Sequence, residues 1–290
     1  MSKLYIDSVS KNQALSLRSQ WLGELLRVAR TRAGHTLQDA GDYLRLEGAS
    51  ISRFERGTHP IRPSYVRDLI SFYGVSDELE RERLLRLNDD AWRKDWWEGD
   101  TSDLDMGFVD YTWLEARAAR IKQYDPILIN GLLQTLDYSH AVCAAFCDAS
   151  TVDRMVELRM TRQRIFDRQK PTELSIVLEE APLCRAIGGA NVHRDQLTHL
   201  LDMARKAFTD IRVITTEVGL HRGWHGPFTV FELPDPFPDV VYLEGLVGRQ
   251  FLEDQAKVTA YKRAYDELHA AALTPKKSVA HIDSVLEGIA

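Results

Sequence analysis

Between Trp21 and Tyr73 the chain is punctuated so often that no helix can exceed a few turns, and this restricts its N-terminal part to a cluster of short helices. From Trp21 the apolar positions Leu22, Leu25, Leu26 and Ala29 recur at helical spacing. Gly34 marks the end of that helix, since glycine commonly follows one. Thr36 with Asp39 three residues on resembles a capping box and opens a second helix, through Tyr43 or Leu44. A third helix covers roughly 48–56 and is closed by Gly57. After the turn His59-Pro60-Ile61-Arg62, Pro63 opens a fourth, because a first-turn proline loses no helical bond. Val66, Leu69, Ile70 and Tyr73 lie on one face of it.

Charge separates this head from the rest of the chain. Residues 1–76 carry 11 Lys+Arg against 7 Asp+Glu, a balance of +4, while the remaining residues carry 26 against 36, a balance of −10. A net charge of −6 argues against a non-specific polyanion binder, so only the head is suited to approach a nucleic acid. Hydrophobic residues at 44% of 290 supply enough material for one large core or two, which excludes disorder over the whole length. Cys143, Cys147 and Cys184 are too few for a disulfide framework. With no apolar leader at the start and no long apolar run, the expected location is the cytoplasm, with no membrane partner.

The expected organisation is a polar tail (1–19), a helical head (20–76), a linker helix and loop (77–107) and a second domain (108–290). In the second domain, helices are expected at about 110–122, 131–147 and 151–168. Leu174, Ile176 and Leu178 alternate with neighbours in a strand at 173–179, and a second strand covers 211–215. Residues 227–233 and 240–244 flank a proline-rich connection as a hairpin, with helices at about 193–206 and 249–272. The expected architecture is mainly α, with a lambda-repressor-like head of four or five helices. Its α+β second domain would pack helices on a small, largely antiparallel sheet.

Four short helices with a basic balance suit a helix-turn-helix, in which one helix enters a major groove about 12 Å wide while another braces it. Ala40, Leu44, Leu46, Ile51 and Phe54 would hold that pair together, leaving Arg45, Arg53, Arg56 and Arg62 for phosphates or base edges. The string Thr36…Ile51-Ser52-Arg53-Phe54-Glu55-Arg56-Gly57 resembles the xenobiotic-response-element (XRE, Cro/repressor-like) family of regulators. The resemblance covers about 20–75 and implies double-stranded operator DNA as a partner and a homodimer as the binding form. By that likeness the DNA-facing residues are Thr36, Gln38, Arg45, Glu47, Ser50, Ser52, Arg53, Arg56 and Arg62. There are departures from the family pattern. Leu37 replaces the usual glutamine after the cap threonine, Arg45 the usual turn glycine, and Glu47 the usual serine cap. Gly48 and Ala49 are too small for base readout, which moves sequence reading onto Ser50, Ser52 and Arg53. Glu55 is expected to serve its helix or an intramolecular contact rather than DNA.

The second domain is similar to a large actinobacterial domain of unknown function that typically follows an XRE-type head. The likeness rests on Leu114-Glu115-Ala116, Gly131-Leu-Leu-Gln-Thr135, Asp137-Tyr138, Arg159…Arg162-Gln163, Leu178-Glu-Glu-Ala181, Gly226-Pro-Phe228 and Val241-Tyr-Leu-Glu244. Regulators of this kind include developmental repressors of the WhiJ type, described as antitoxin-like and encoded beside small partner proteins, and a small partner protein is what the likeness implies here. Asn130 stands where proline usually precedes the Gly-Leu-Leu-Gln-Thr run. Gln134 and Glu180 read first as structural, and Trp92, Trp96, Trp97 and Trp113 as packing. The candidate lining of a partner or ligand pocket is Trp97, Trp113, Gln134 and Glu180.

Other chemistry is weaker. His140, Cys143 and Cys147 fall on one helix face, a spacing that could hold a metal with Cys184, but their alanine neighbours suggest a buried apolar face. His221 and His225 have no recognisable acid partner, and Glu179 and Glu180 must point to opposite faces of a strand. Walker A, dinucleotide-binding, nucleophile-elbow and zincin patterns are absent, so neither an enzyme nor a cofactor is expected. The expectation is a sequence-specific transcriptional regulator, a repressor and dimer, whose second domain takes a small protein or ligand. An antitoxin-like interaction module with a degenerate helix-turn-helix, or a metal or redox sensor, are the alternatives.

Overall fold

The computed structural model describes residues 16–92, 106–235, 237–246 and 248–289. The chain divides into two compact units at Asp110/Tyr111, a head and a body. The head holds α1 (Leu17–Arg32), α2 (Leu37–Leu44), α3 (Gly48–Glu55), α4 (Pro63–Phe72) and α5 (Glu78–Trp92), and α6 (Met106–Arg117) leads into the body. Leu22, Leu26, Ala29, Ala40, Ile51, Val66, Leu69 and Ile70 form the core of the head. Burying each of the larger side chains contributes about 1.5–3 kcal/mol.

Two boundaries differ from the sequence expectation. Residues 17–19, placed in the tail, form the first turn of α1, which has no acidic residue of its own there. The Asp110 carboxylate supplies the missing negative end, accepting the Leu17 N–H at 3.2 Å through both oxygens. The helix expected as a linker, α5, packs on α1 instead, burying Leu84 and Leu87, and Arg18 Nη1 donates to the Asp90 carbonyl at 3.0 Å. Both errors arise because long-range partners, invisible to local pattern, hold these segments.

In the head, α1 approaches the end of α3 closely. A Cβ on Gly23 would stand 2.5 Å from the Glu55 carbonyl oxygen and 2.6 Å from that of Phe54. Only a hydrogen fits there, so the crossing of the two helices depends on that glycine.

The body is α+β, as expected, and its sheet is mixed. In chain order its elements are β1 (Arg120–Asp125), α7 (Leu136–Phe146), α8 (Val152–Arg162), β2 (Glu173–Glu179), α9 (Ala181–Cys184) and α10 (Ala190–Met203). There follow β3 (Thr209–Ile214), β4 (Phe228–Glu232), β5 (Val240–Gly245), β6 (Gly248–Leu252), α11 (Gln255–Ala271) and α12 (Pro275–Glu287). The strand order is β3-β2-β1-β4-β5-β6. Pairings β1–β2 and β2–β3 are parallel, and β1–β4, β4–β5 and β5–β6 are antiparallel. Helical crossovers connect the parallel strands, and short loops connect β4 to β5 and β5 to β6, as chain geometry requires.

The expected helix at 110–122 ends instead at Arg117, and β1 follows as a central strand paired on both sides. Likewise the first residues of the helix expected at 249–272 form β6. The helix expected at 131–147 opens with a short 3-10 turn and begins as an α-helix only at Leu136, capped by the Thr135 side chain. Register fixes the two faces of the sheet. Tyr124, Val177, Phe228, Val230 and Val241 face α11, where they meet Val258, Tyr265 and Leu268. On the opposite face Tyr111 packs edge-on against Phe231 and Tyr242, with centroids 5.3 and 4.6 Å apart.

Candidate nucleic-acid interface

α2, the turn Arg45-Leu46-Glu47 and α3 make the helix-turn-helix. Thr36 closes a full capping box: its Oγ accepts the Asp39 N–H at 3.1 Å and the Asp39 carboxylate accepts the Thr36 N–H at 2.7 Å. Those bonds hold the Asp39 carboxyl below the usual carboxylate range. The turn is closed by Leu46 N–H donating to the Gly41 carbonyl at 2.8 Å. Arg45 caps α2 in the left-handed region, φ 58° and ψ 42°, and is the one non-glycine residue with positive φ among the described residues. A side chain at that position costs on the order of 1 kcal/mol, and here it is an exposed cation.

On α3, Ser50 and Ser52 are half-buried and Arg53 is exposed, with Arg53 Nη2 donating to Ser50 Oγ at 3.0 Å. Arg56 follows at the C-cap, exposed, its Nε donating to the Ser52 carbonyl at 3.2 Å. Arg62 caps α4 without a side-chain bond and lies 6.0 Å from the Tyr65 ring centroid. Gln38 donates to the Asp42 carboxylate at 2.7 Å, and its Oε1 comes close to Gly48 at the start of α3. Glu47 is the exposed N-cap of α3 and makes no capping bond.

Among the described residues, none of Arg45, Arg53, Arg56 and Arg62 pairs with a carboxylate. Arg30 is the contrast. It forks onto the buried Glu55 at 2.6 and 2.9 Å and donates to the His35 carbonyl at 2.8 Å. Glu55 therefore makes an intramolecular contact that ties α3 to α1, and Arg30 is the partner that sequence reasoning missed.

In the body, Gln134 is buried and fully engaged. Its Nε2 donates to the Ile129 carbonyl at 2.7 Å, and its Oε1 accepts from Arg159 at 2.6 Å and Ser139 at 3.1 Å. Gln163 and Gln196 bind the backbone of the same Gly131–Thr135 segment. Burial holds the Arg159 guanidinium below its usual range, and Glu115 forks onto the buried Arg162 at 2.7 and 2.8 Å. Trp113 is fully buried and meets Phe237 edge-on at 5.3 Å. Trp96 and Trp97 lie outside the described residues, as does the side chain of Trp92. Trp113, Gln134 and Glu180 each have separate internal contacts, with Phe237, with Ile129, Ser139 and Arg159, and with Thr216 and His281.

Glu179 and Glu180 diverge. Glu179 accepts the Tyr124 hydroxyl at 2.6 Å and lies 3.1 Å from His221, an acid partner for that histidine which the sequence did not reveal. Glu180 accepts the Thr216 N–H and hydroxyl at 3.1 and 3.0 Å and faces His281 at 3.0 Å. The bonds from Thr216, with His281 beside them, hold its carboxyl below the usual range. No group of three His, Cys, Asp or Glu side chains among the described residues is gathered to hold a metal ion, and Cys143 packs with Val152 and Val156. No helix among the described residues is long and apolar enough to cross a membrane.

Comparison with known proteins divides the chain in a similar way. Residues 21–84 match a helix-turn-helix domain, and residues 108–284 match a domain of unknown function (DUF5753). No curated protein and no solved structure matches the chain. With an XRE-like helix-turn-helix head, a DNA-binding regulator's fold, followed by that second domain over more than half its length, the chain belongs to the DUF5753 family.

Proposed function

We propose that the chain is a sequence-specific transcriptional repressor that binds DNA as a homodimer, without catalysis, and whose body takes a small partner protein or ligand. The observation that carries this reading is the set Ser50, Ser52, Arg53 and Arg56 on and just past α3, the serines half-buried and the arginines exposed, with no carboxylate paired to either arginine among the described residues. Arg53 serves the base edges, as arginine can meet guanine O6 and N7 with two bonds. Arg45, Arg56 and Arg62 position the head on phosphates, and Thr36 and Gln38 set the brace of α2 against the backbone. In a dimer, two α3 helices about 34 Å apart would read a pseudo-palindrome.

Glu47 favours a second reading. An exposed carboxylate at the N-terminus of α3 repels phosphate, and in an antitoxin-like module the altered helix would contact protein alone. Selection of bound sequences from a random DNA pool separates the two. Enrichment of an inverted repeat with half-sites one helical turn apart supports the repressor, and a pool left unenriched supports the interaction module.

A further inference from the structure

On the sheet face opposite α11, β1 carries Gln123 and Asp125, and the register sets Gln123 beside Thr229 of β4, which in turn faces Tyr242 of β5. These residues line a cavity of about 290 Å³, completed by Tyr111, the loop Pro126-Ile127-Leu128, and Glu244 at the end of β5. Gln123 is 8% exposed. Its Nε2 donates to Asp125 Oδ1 at 3.0 Å, while Gln123 Oε1 and Asp125 Oδ2 are hidden and have no hydrogen-bond partner.

Two unpaired buried acceptors cost the fold free energy unless a donor meets them. The walls indicate which donor. Among the described residues no lysine, arginine or histidine lines the cavity, whereas two carboxylates and the rings of Tyr111 and Tyr242 do (Asp125, and Glu244, which is bonded to Arg249 at 3.1 Å). Arg162 already lies 5.1 Å over the Tyr111 ring, so what remains to attract a cation, and to repel an anion, is the hidden and unpartnered Oδ2 of Asp125 beside Gln123 Oε1. The size suits a single-ring amine rather than a dinucleotide.

We propose that this cavity is a binding site for a small organic cation, an ammonium or guanidinium on an apolar stem, whose N–H groups meet Gln123 Oε1 and Asp125 Oδ2. The site gives chemical form to the ligand-taking role proposed for the body and rests on that reading only for its regulatory consequence. Burial pushes the Asp125 carboxyl up to about 7 against the bonds from Gln123 and Asn130. The other titratable groups of the cavity are Tyr111 and Tyr242, both held above the usual tyrosine range by burial, and Glu244. A bound cation favours ionised Asp125, so affinity should fall as pH drops through about 7 and binding above the unliganded value should release little proton.

The test is calorimetric titration of the full chain with benzylammonium and phenylguanidinium, with benzyl alcohol as the uncharged counterpart, above and below neutral pH. Saturable binding of either cation, at least about tenfold tighter than that of the alcohol and weakened about tenfold or more in Asp125→Asn, supports the site. Gln123→Leu, which removes the other acceptor, should weaken it as well, and amide hydrogen exchange reports whether each variant is folded. Binding of the alcohol as tight as that of both cations, equal binding by the folded variants, or no binding at millimolar concentration overturns it. Cation binding that leaves DNA affinity unchanged keeps the site and removes only its regulatory role.

Discussion

In the head, Arg53 and Arg56 stand exposed, and among the described residues their side chains bond only to Ser50 and Ser52 of their own helix. In the body, Arg159 and Arg162 are spent on Gln134 and Glu115, Arg159 half-buried and Arg162 buried. The residue types are the same, and their environments separate two uses. A cation whose hydrogen bonds are weak, local and wet can exchange them for a phosphate or a base at small cost. A cation already desolvated onto a buried carboxylate or amide cannot, since leaving its partner uncovers a buried charge. The same contrast applies inside the head, where Arg30 is fixed on Glu55 and the four outer arginines are not.

The largest predicted effect breaks the body side of this comparison. Glu115→Ala leaves Arg162 buried without its partner and should cost about 3–5 kcal/mol of body stability by denaturant unfolding. Because Arg162 also lies 5.1 Å over the Tyr111 ring, amides of β1 and β2 should lose hydrogen-exchange protection while those of α2 and α3 keep theirs. Loss of protection throughout the chain would show that the two regions do not differ in this way.

Asp125→Asn comes next and acts with pH. The folded-state value of about 7 stands above the reference 3.8, so the folded chain holds a proton that the unfolded chain releases between them. Wild-type stability is therefore lost as pH rises from about 4 to 7, and the asparagine variant escapes the loss. Near pH 8 the variant should be more stable by about 2–4 kcal/mol, with the gain vanishing below about pH 4. Melting across that range checks it, and a gain of equal size at both ends would contradict the assignment.

On the head side, Gly23→Ala drives a methyl into the α3 backbone and should cost about 1–3 kcal/mol, lowering exchange protection in α1 and α3 alone. The smallest effect sharpens the comparison most. Arg45→Gly relieves a left-handed arginine and should leave the head equally stable or more so, by up to about 1 kcal/mol. If Arg45 meets a phosphate, the same variant binds DNA more weakly with a salt slope shallower by about 1. A variant that is less stable and keeps its salt slope would reverse both statements.

Much of the head was legible in the chain because its helices are short and locally signalled. The Thr36 capping box, Gly57 and Pro63 each mark a boundary with chemistry that acts over a few residues. What escaped was held from afar, as with Asp110 on Leu17 and Arg30 on Glu55. In the body, β1 was hidden because the expected helix at 110–122 ran into its first residues and no strand was expected over the polar remainder, and only pairing on both sides makes the segment a central strand. Missing that strand also concealed the cavity, since burial of Gln123 follows from strand alternation. The polar motif residues Gln134 and Glu180 were visible by type, but their internal partners were not.

The most direct test of the division between head and body is fluorescence anisotropy of the full chain and of Arg53→Ala, on DNA from its own upstream region and on a scrambled duplex, across a salt series. The account predicts that the wild type prefers its own DNA by about a thousandfold or more, with affinity falling as salt rises. The Arg53→Ala variant, equally folded, should lose most of that preference while retaining the weak, salt-dependent binding. Equal and weak binding of the wild type to both duplexes would contradict the claim that α3 reads sequence.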